Sequence, residues 1–492
     1  MGTTLELYDG DSTIDFTGSV YRALVPIGFG PPPKSLSLAG GELRGILYKP
    51  RSISFPLTII GSSVSDLRSK IRDLDIMIAK AQFRQSLDQG TKIVLKTQLG
   101  DTNADDIEYR VLAGSYSFPG YSEPEITAGF AALDGSVTLL CDPLGRLANV
   151  TPSVGTLENE VDGSNLCYLD LQSLTGSEQG RFELKIHDTN NGGGNAWNGS
   201  KKVWIARRGG ERRTDTLFFQ QPDRITAGTT PRVSGGIVSF ASASSGPGNS
   251  SAGTASEAQQ GSSGTPNAVL TEDRTNCGQF EYDIAGGSLP RGLFRVLARV
   301  AVDADSIVFG TIVEEEMGFA LSWAYGALTQ TSTDTDDQMM TASIGFDTWE
   351  TLDLGEIVIP PAGDPTNFTA PTLTIKIDCI LDMTGAAQLD GGTGTIEWHI
   401  DYVFLLPIDE GAVLVNSIGT DDRVLIDTLS DSPGVYLLNT SNIVQQMADF
   451  VGGPFNIGPE DTRIYVLRDD TGDPTTTQFT VTPVYTPQVL GM

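Results

Sequence analysis

The chain has 492 residues, with 32 Lys and Arg against 62 Asp and Glu, for a net charge of −30. That balance excludes nucleic-acid binding driven by phosphate contacts and disfavours docking on an anionic membrane. Cys141, Cys167, Cys277 and Cys379 show no Cys-x-x-Cys spacing, which argues against a zinc site or a dense disulfide framework; they read as small buried hydrophobes, with one long-range disulfide as the alternative.

The N-terminus lacks the basic start and apolar core of a signal peptide, and no apolar run approaches bilayer length, so the expectation is a soluble chain made in the cytoplasm. Residues 1–47 hold short apolar pieces at 19–27 and 43–48, separated by the sequence GFGPPP at 28–33. Three prolines in a row stiffen that loop, which reads either as a projecting arm or as a rigid surface loop. Asp9, Asp11 and Asp15 cluster hard oxygen donors suited to Ca²⁺, but without an EF-hand spacing they read as a solvated turn.

Next comes the most patterned stretch of the chain. Ile53, Phe55, Leu57 and Ile59 alternate with Ser52, Ser54, Pro56 and Thr58, the period-2 signature of a half-buried strand opened by Arg51. Pro56 cannot donate to a ladder, so an edge position or a local interruption is expected there. After Gly61, Ser63 and Asp66 predict a capping box, and Val64, Leu67, Ile71, Leu74, Ile78 and Ala81 fall on one helical stripe. Ile76 lies opposite that stripe, which hints at a second contact surface.

The segment YKPRSISFPLTIIGSSVSDLRSKIRDLDIMIAKA resembles the N-terminal domain of the distal tail and minor tail proteins of long-tailed phages. VTLLCDPLGR at 137–146 is similar to that domain's closing strand, and GGPFNIGPEDTRIYVL with TVTPVYTPQVLG is similar to the way such proteins end. The likeness covers roughly the first 150 residues and the last 80 or so. It implies a ring at the tail tip, most simply a hexamer, bound to the tail tube protein and the tip hub protein. It implies a place in the virion tail; from the residues themselves no cofactor and no metal is expected. Leu67, Ile71, Leu74, Ile76 and Ile78 are the candidate ring interface.

Four short runs at 92–98, 107–118, 125–130 and 136–141 complete a small α+β domain over 1–148, with one amphipathic helix. From 149 to 408 many short strands alternate with Gly, Asn, Asp and Pro turns, which predicts a β-sandwich or jelly-roll insertion. GTIEWHIDYVFLLP at 394–407 resembles the last strand of carbohydrate-binding-module-like jelly rolls. Residues 242–268 are low in complexity and read as a flexible linker or a long loop within one sandwich. The segment 409–492 adds strands at 423–428 and 435–438, a short helical piece at 443–450, and two strands at 463–468 and 478–485 joined by the turn DDTGDP. It is expected to pack on 1–148 or on a neighbouring subunit. The fold class is therefore mainly β.

For chemistry, only His187 and His399 are available, each with a nearby Asp (Asp188, Asp401), and no nucleophile signature accompanies them. A non-enzymatic chain is expected. Arg207, Arg208, Arg212 and Arg213 concentrate bidentate donors that could grip an acidic glycan or a partner's carboxylates, or could pair with local acids at a turn. Trp197, Trp204, Trp323 and Tyr325 are the aromatic candidates for stacking on host-surface glycan. The alternative to a tail ring is thus a carbohydrate-binding, receptor-binding adhesin; a tail-associated glycan hydrolase stands third.

Overall fold

The computed structural model describes residues 4–490 apart from short connections and the longer stretches 88–91, 99–105, 120–124, 149–157, 160–165, 189–201, 228–235, 242–255, 263–267, 331–337, 342–348, 360–370, 390–394 and 469–478. The molecule is mainly β, with several antiparallel sheets and one α-helix.

The helix and its strand form as the sequence pattern dictates. Strand Arg51–Gly61 alternates buried and outward residues along its whole length. It lies between Phe130–Cys141 on one side and the three-residue strand Tyr21–Ala23 on the other. Pro56 sits just past that short neighbour, where a missing N–H costs little. Helix α1, Val64–Leu87, begins with Ser63 Oγ accepting the Asp66 N–H at 3.1 Å. Asp66 reaches back to the N–H of Ser62 at 2.8 Å, one residue earlier than a standard capping box. The N–H and hydroxyl of Ser62 together hold the Asp66 carboxyl below its ordinary pKa. Leu67, Ile71, Leu74, Ile78 and Ala81, joined by Met77, are buried against the sheet, each large side chain contributing about 1.5–3 kcal/mol.

One sheet then runs out of this α/β unit into the rest of the chain. Strand Ile107–Ser117 pairs with Gly145–Arg146, which pairs with the C-terminal strand Phe479–Val489, and that strand pairs with Glu178–Asp188. Arg423–Asp427 and Gly434–Leu438 continue the sheet. Facing it is a second sheet in the order Glu158–Asn159, Leu166–Leu171, Thr462–Arg468, Lys202–Gly209, Ala412–Asn416 and Asp449–Gly452. The two enclose a core of Leu169, Phe182, Ile205, Val424, Val466 and Tyr485, among others.

This sandwich redraws the organisation expected from the sequence. Residues 166–209 share both its sheets with the C-terminal segment, so the sheet boundary does not fall at 149. The strands 463–468 and 478–485 do not form a hairpin either: Thr462–Arg468 lies between two strands of one sheet and Phe479–Val489 between two strands of the other. The turn DDTGDP lies outside the described residues. The helical piece at 443–450 is instead two edge strands, Val444–Met447 and Asp449–Gly452. Asn442 at φ 60 turns the chain back on Gly434–Leu438, and Ala448 donates to Val435 O before the chain crosses to the opposite sheet. Two open sheet edges outcompete a modest helix preference.

Between Lys202–Gly209 and Ala412–Asn416 the chain builds a second sandwich. One sheet carries Gly236–Ala241, Ser256–Ser262, Thr395–Pro407, Gly292–Asp305 and Glu350–Ile359, and the other Arg224–Ala227, Thr275–Ile284, Leu373–Thr384, Glu314–Tyr325 and Leu328–Gln330. Ser256–Ser262, inside the low-complexity stretch, is a strand between Gly236–Ala241 and Thr395–Pro407, so the 242–268 segment belongs to one sandwich and is not all loop. Residues 242–255 and 263–267 of that segment lie outside the described residues. Lys202–Gly209 is buried on both faces: Val203 and Ile205 enter the first core, Trp204 and Ala206 the second.

Candidate functional site

Two buried arginines mark the places where the three units meet. Arg51 is the inward residue that opens its strand. Its Nε donates to Pro143 O at 2.9 Å, Nη1 to Phe29 O at 3.3 Å, and Nη2 to Leu490 O at 2.6 Å; the guanidinium stacks 4.7 Å from the Tyr109 ring centroid. One side chain thus ties the strand, the Asp-Pro exit, the GFGPPP loop and the C-terminal strand. Burial among neutral carbonyls pushes the Arg51 pKa below its ordinary value. The GFGPPP loop is no projecting arm at its start, because Phe29 is buried 5.6 Å from Tyr109. Gly28, at φ +111, lies so close to Ser52 O that a Cβ would come within 2.2 Å.

Arg208 sits where the inserted sandwich leaves the first one and returns to it. It is fully buried and pairs with Asp215 at 2.6 Å, Asp409 at 3.4 Å and Glu410 at 4.0 Å. Nη2 also donates to Arg291 O at 2.8 Å, and the guanidinium lies 5.0 Å from the Phe294 ring centroid. Around it, Arg212 pairs with Asp409 and Glu410, Arg213 with Asp461 at 3.4 Å, and Arg207 donates to Asn456 O. Gly210 adopts φ +62 beside Glu460, a turn that only glycine makes without strain. The arginine cluster is therefore a charged joint between domains and not an open glycan grip. Sequence spacing identified the cluster, and Asp215 is the local acid it offered, but Asp409, Glu410 and Asp461 come from about 200 residues or more downstream.

The other expected site residues scatter. Leu67, Ile71, Leu74 and Ile78 are buried in the chain's own core, so they supply no ring contact; Ile76 alone of the five is exposed, at 44 %. Trp204, 1 % exposed, and Tyr325 are core residues and cannot stack on a sugar. Trp323 is partly buried against the same core, and Trp197 lies outside the described residues. Among the described residues no cluster of three His, Cys, Asp or Glu is arranged to hold a metal. Asp9 is buried and holds Lys80 at 2.6 Å and the N–H groups of Asp11 and Ser12 at 3.0 and 2.7 Å. Burial would raise its pKa, but those hydrogen bonds outweigh it and bring it to about 2. Cys141, Cys167 and Cys379 are buried free thiols, and burial pushes Cys141 up to about 12. Among the described residues no helix is long and apolar enough to cross a membrane.

The fold and these joints define a mainly β chain of three packed units. No family model matches it, and no curated protein matches it. Among solved structures it is similar to the Dit protein (gp 19.1) of phage SPP1, described as a paradigm of the hub adsorption apparatus of phages infecting Gram-positive bacteria. Identity there is 12 %, over 43 % of this chain and 71 % of that one, with a TM-score of 0.26. A chain of the phage P2 baseplate in its activated, Ca-containing conformation aligns at 10 % identity over 81 % of this chain and 98 % of that one, at 0.21. A protein of infectious bursal disease virus, Gt strain, aligns at 10 % identity over 83 % and 86 %, at 0.16. At such TM-scores these likenesses carry no argument about function.

Proposed function

We propose that this chain is a structural, non-enzymatic virion protein of a tailed virus. It forms a ring, a hexamer as the sequence resemblance implies, at the distal end of the tail between the tube and the tip hub. The reading starts from the strand–helix unit at 48–81 and its likeness to distal tail proteins of long-tailed phages.

The observation that carries it is the surface of the α/β unit. Of the twelve large apolar side chains exposed among the described residues, seven belong to residues 1–148. Ile76 and Phe83, 44 % and 60 % exposed, stand two turns apart on the outward side of α1. Phe130 and Leu140, near opposite ends of strand Phe130–Cys141, are exposed on a different element. Exposed apolar clusters mark contact surfaces, and a closed ring needs two unlike faces that meet. The inserted sandwich, read as carbohydrate-binding-module-like, hangs outside the ring and faces host glycan, with Trp323 a remaining candidate contact.

Light scattering on the purified chain at low and high salt tests the ring. A discrete oligomer of ring size is expected, reduced to monomer by Ile76→Asp with Phe83→Asp. A monomer at every concentration and salt, or an oligomer unmoved by those changes, sinks this reading.

A further inference from the structure

One rim of the first sandwich is open and apolar. Val444–Met447 is the last strand of the continuous sheet and Asp449–Gly452 the last of the facing sheet, so the chain from 444 to 452 edges both. All four residues of Val444–Met447 are exposed. Ile443, Val444, Met447 and Val451 each keep more than half of their surface in solvent, four of the twelve exposed large apolar side chains.

The rim is ordered before anything meets it. Asn439 Oδ1 accepts the N–H groups of Ser441 and Ile443 at 2.9 and 3.0 Å, and Arg423 donates to Asn442 Oδ1 at 2.6 Å. Ala448 gives its N–H to Val435 O. Backbone direction alternates along a strand, so Gln446 also faces its neighbour, opposite Leu437, and Met447 turns its N–H and C=O to the open side. Among the described residues Val444–Met447 pairs with Gly434–Leu438 alone.

Sheet edges are commonly shielded by charge. Two edges of the inserted sandwich show it: Glu350–Ile359 carries Glu350, Asp353 and Glu356, and Arg224–Ala227 opens on Arg224, paired with Glu281 and Asp283. Gly434 to Pro459, by contrast, holds a single charged residue, Asp449, in a chain that is 19 % charged with a net −30. Copies of so acidic a chain repel one another except where charge is thin, and a basic partner would find almost no counter-charge on this rim. The occupant that fits an uncharged, apolar edge is the same edge of a second copy.

We propose that two copies of this chain associate through Val444–Met447, antiparallel about a two-fold axis at Gln446, so that the continuous sheet of one runs on into the other. Gln446 then faces its own counterpart, and Met447 enters the ladder opposite Gln445 of the second copy. The contact is isologous, one surface meeting itself, whereas the ring needs two unlike faces. A register shift between Leu437 and Leu438 and the crossing at Ala448 keep the open ladder short, so pairing is weak, with a dissociation constant of roughly 0.1 mM. It stands or falls independently of ring formation.

Disulfide trapping in the full chain, with oxidised glutathione as the oxidant, tests the pairing. Non-hydrogen-bonded antiparallel residues bring their Cα atoms to about 4.5 Å, within reach of a disulfide. At about 0.1 mM chain, Gln446→Cys is expected to form a covalent dimer roughly tenfold faster than Val358→Cys, an exposed position on the Glu350–Ile359 edge. The chain without an added cysteine sets the background. Adding Met447→Lys to Gln446→Cys removes the advantage, because an edge lysine blocks strand pairing; Val444→Lys serves if that variant does not fold. Trapping reads two edges meeting whether or not a ring forms, so a ring without trapped dimer overturns this proposal and leaves the ring standing. Trapping no faster than at Val358→Cys, or undiminished by the edge lysine, likewise overturns it.

Discussion

Arg51 and Arg208 do the same mechanical work with opposite chemistry. Arg51 joins the α/β unit to the C-terminal strand through backbone carbonyls, and Arg208 joins the two sandwiches largely through carboxylates. Carbonyl acceptors are fixed by the fold itself, so the Arg51 joint is as rigid as the strands that carry them. Carboxylates stand on side chains and must be ordered, and three of them converge on Arg208. The comparison teaches where each joint is vulnerable: removing Arg51 strands neutral acceptors, whereas removing Arg208 leaves like charges facing one another.

Four measurements sharpen or break that contrast. Arg51→Met lowers the stability of the α/β unit by about 3–5 kcal/mol, the cost of several buried carbonyls left without a donor at roughly 1–3 kcal/mol each, read as a downward shift of its transition in scanning calorimetry. Arg51→Lys recovers only part of it, because an ammonium cannot span carbonyls in three directions. A transition unchanged by Arg51→Met breaks the comparison outright. Arg208→Met costs about 2–4 kcal/mol and acts on the inserted sandwich, with faster proteolysis within 210–217 as the readout. Equal loss in the α/β transition would show that the two joints are one.

The α/β unit also holds an ion pair with a buried carboxylate, Asp9 with the partly exposed Lys80, as an internal control. Its folded pKa, about 2, is below the ordinary 3.8, so its stabilisation is fully present above about pH 4 and is lost as pH falls toward 2. With Lys80 partly exposed, that amounts to ~1–2 kcal/mol. Asp9→Asn should flatten the acid limb of this unit's transition while leaving its neutral-pH cooperativity intact. Smallest is Ser63→Ala, about 1 kcal/mol, visible as fraying of α1 in hydrogen exchange at Asp66 and Leu67.

The α/β unit was legible in the sequence because its signals are local. Ile53, Phe55, Leu57 and Ile59 point inward as their alternation says, and the Leu67–Ile78 stripe is buried as its spacing says. The functional reading of that stripe did not survive: a buried stripe reports that a face is covered, not whether the same chain or a neighbour covers it. The same gap explains Trp204 and Tyr325, whose aromatic character suits a glycan platform and a core equally well.

What the sequence alone determined here is the strand Arg51–Gly61, where helix α1 starts and which of its faces is apolar, since periodicity and capping act over a few residues. Tertiary structure alone decided the partners. Thr462–Arg468 and Phe479–Val489 part into different sheets, 443–450 becomes two edge strands, and the Arg207–Arg213 cluster closes on Asp409, Glu410 and Asp461. Backbone ladders read no side-chain code, and an ion pair across 200 residues leaves no local period. Such pairings follow from which edges and charges the whole chain brings together.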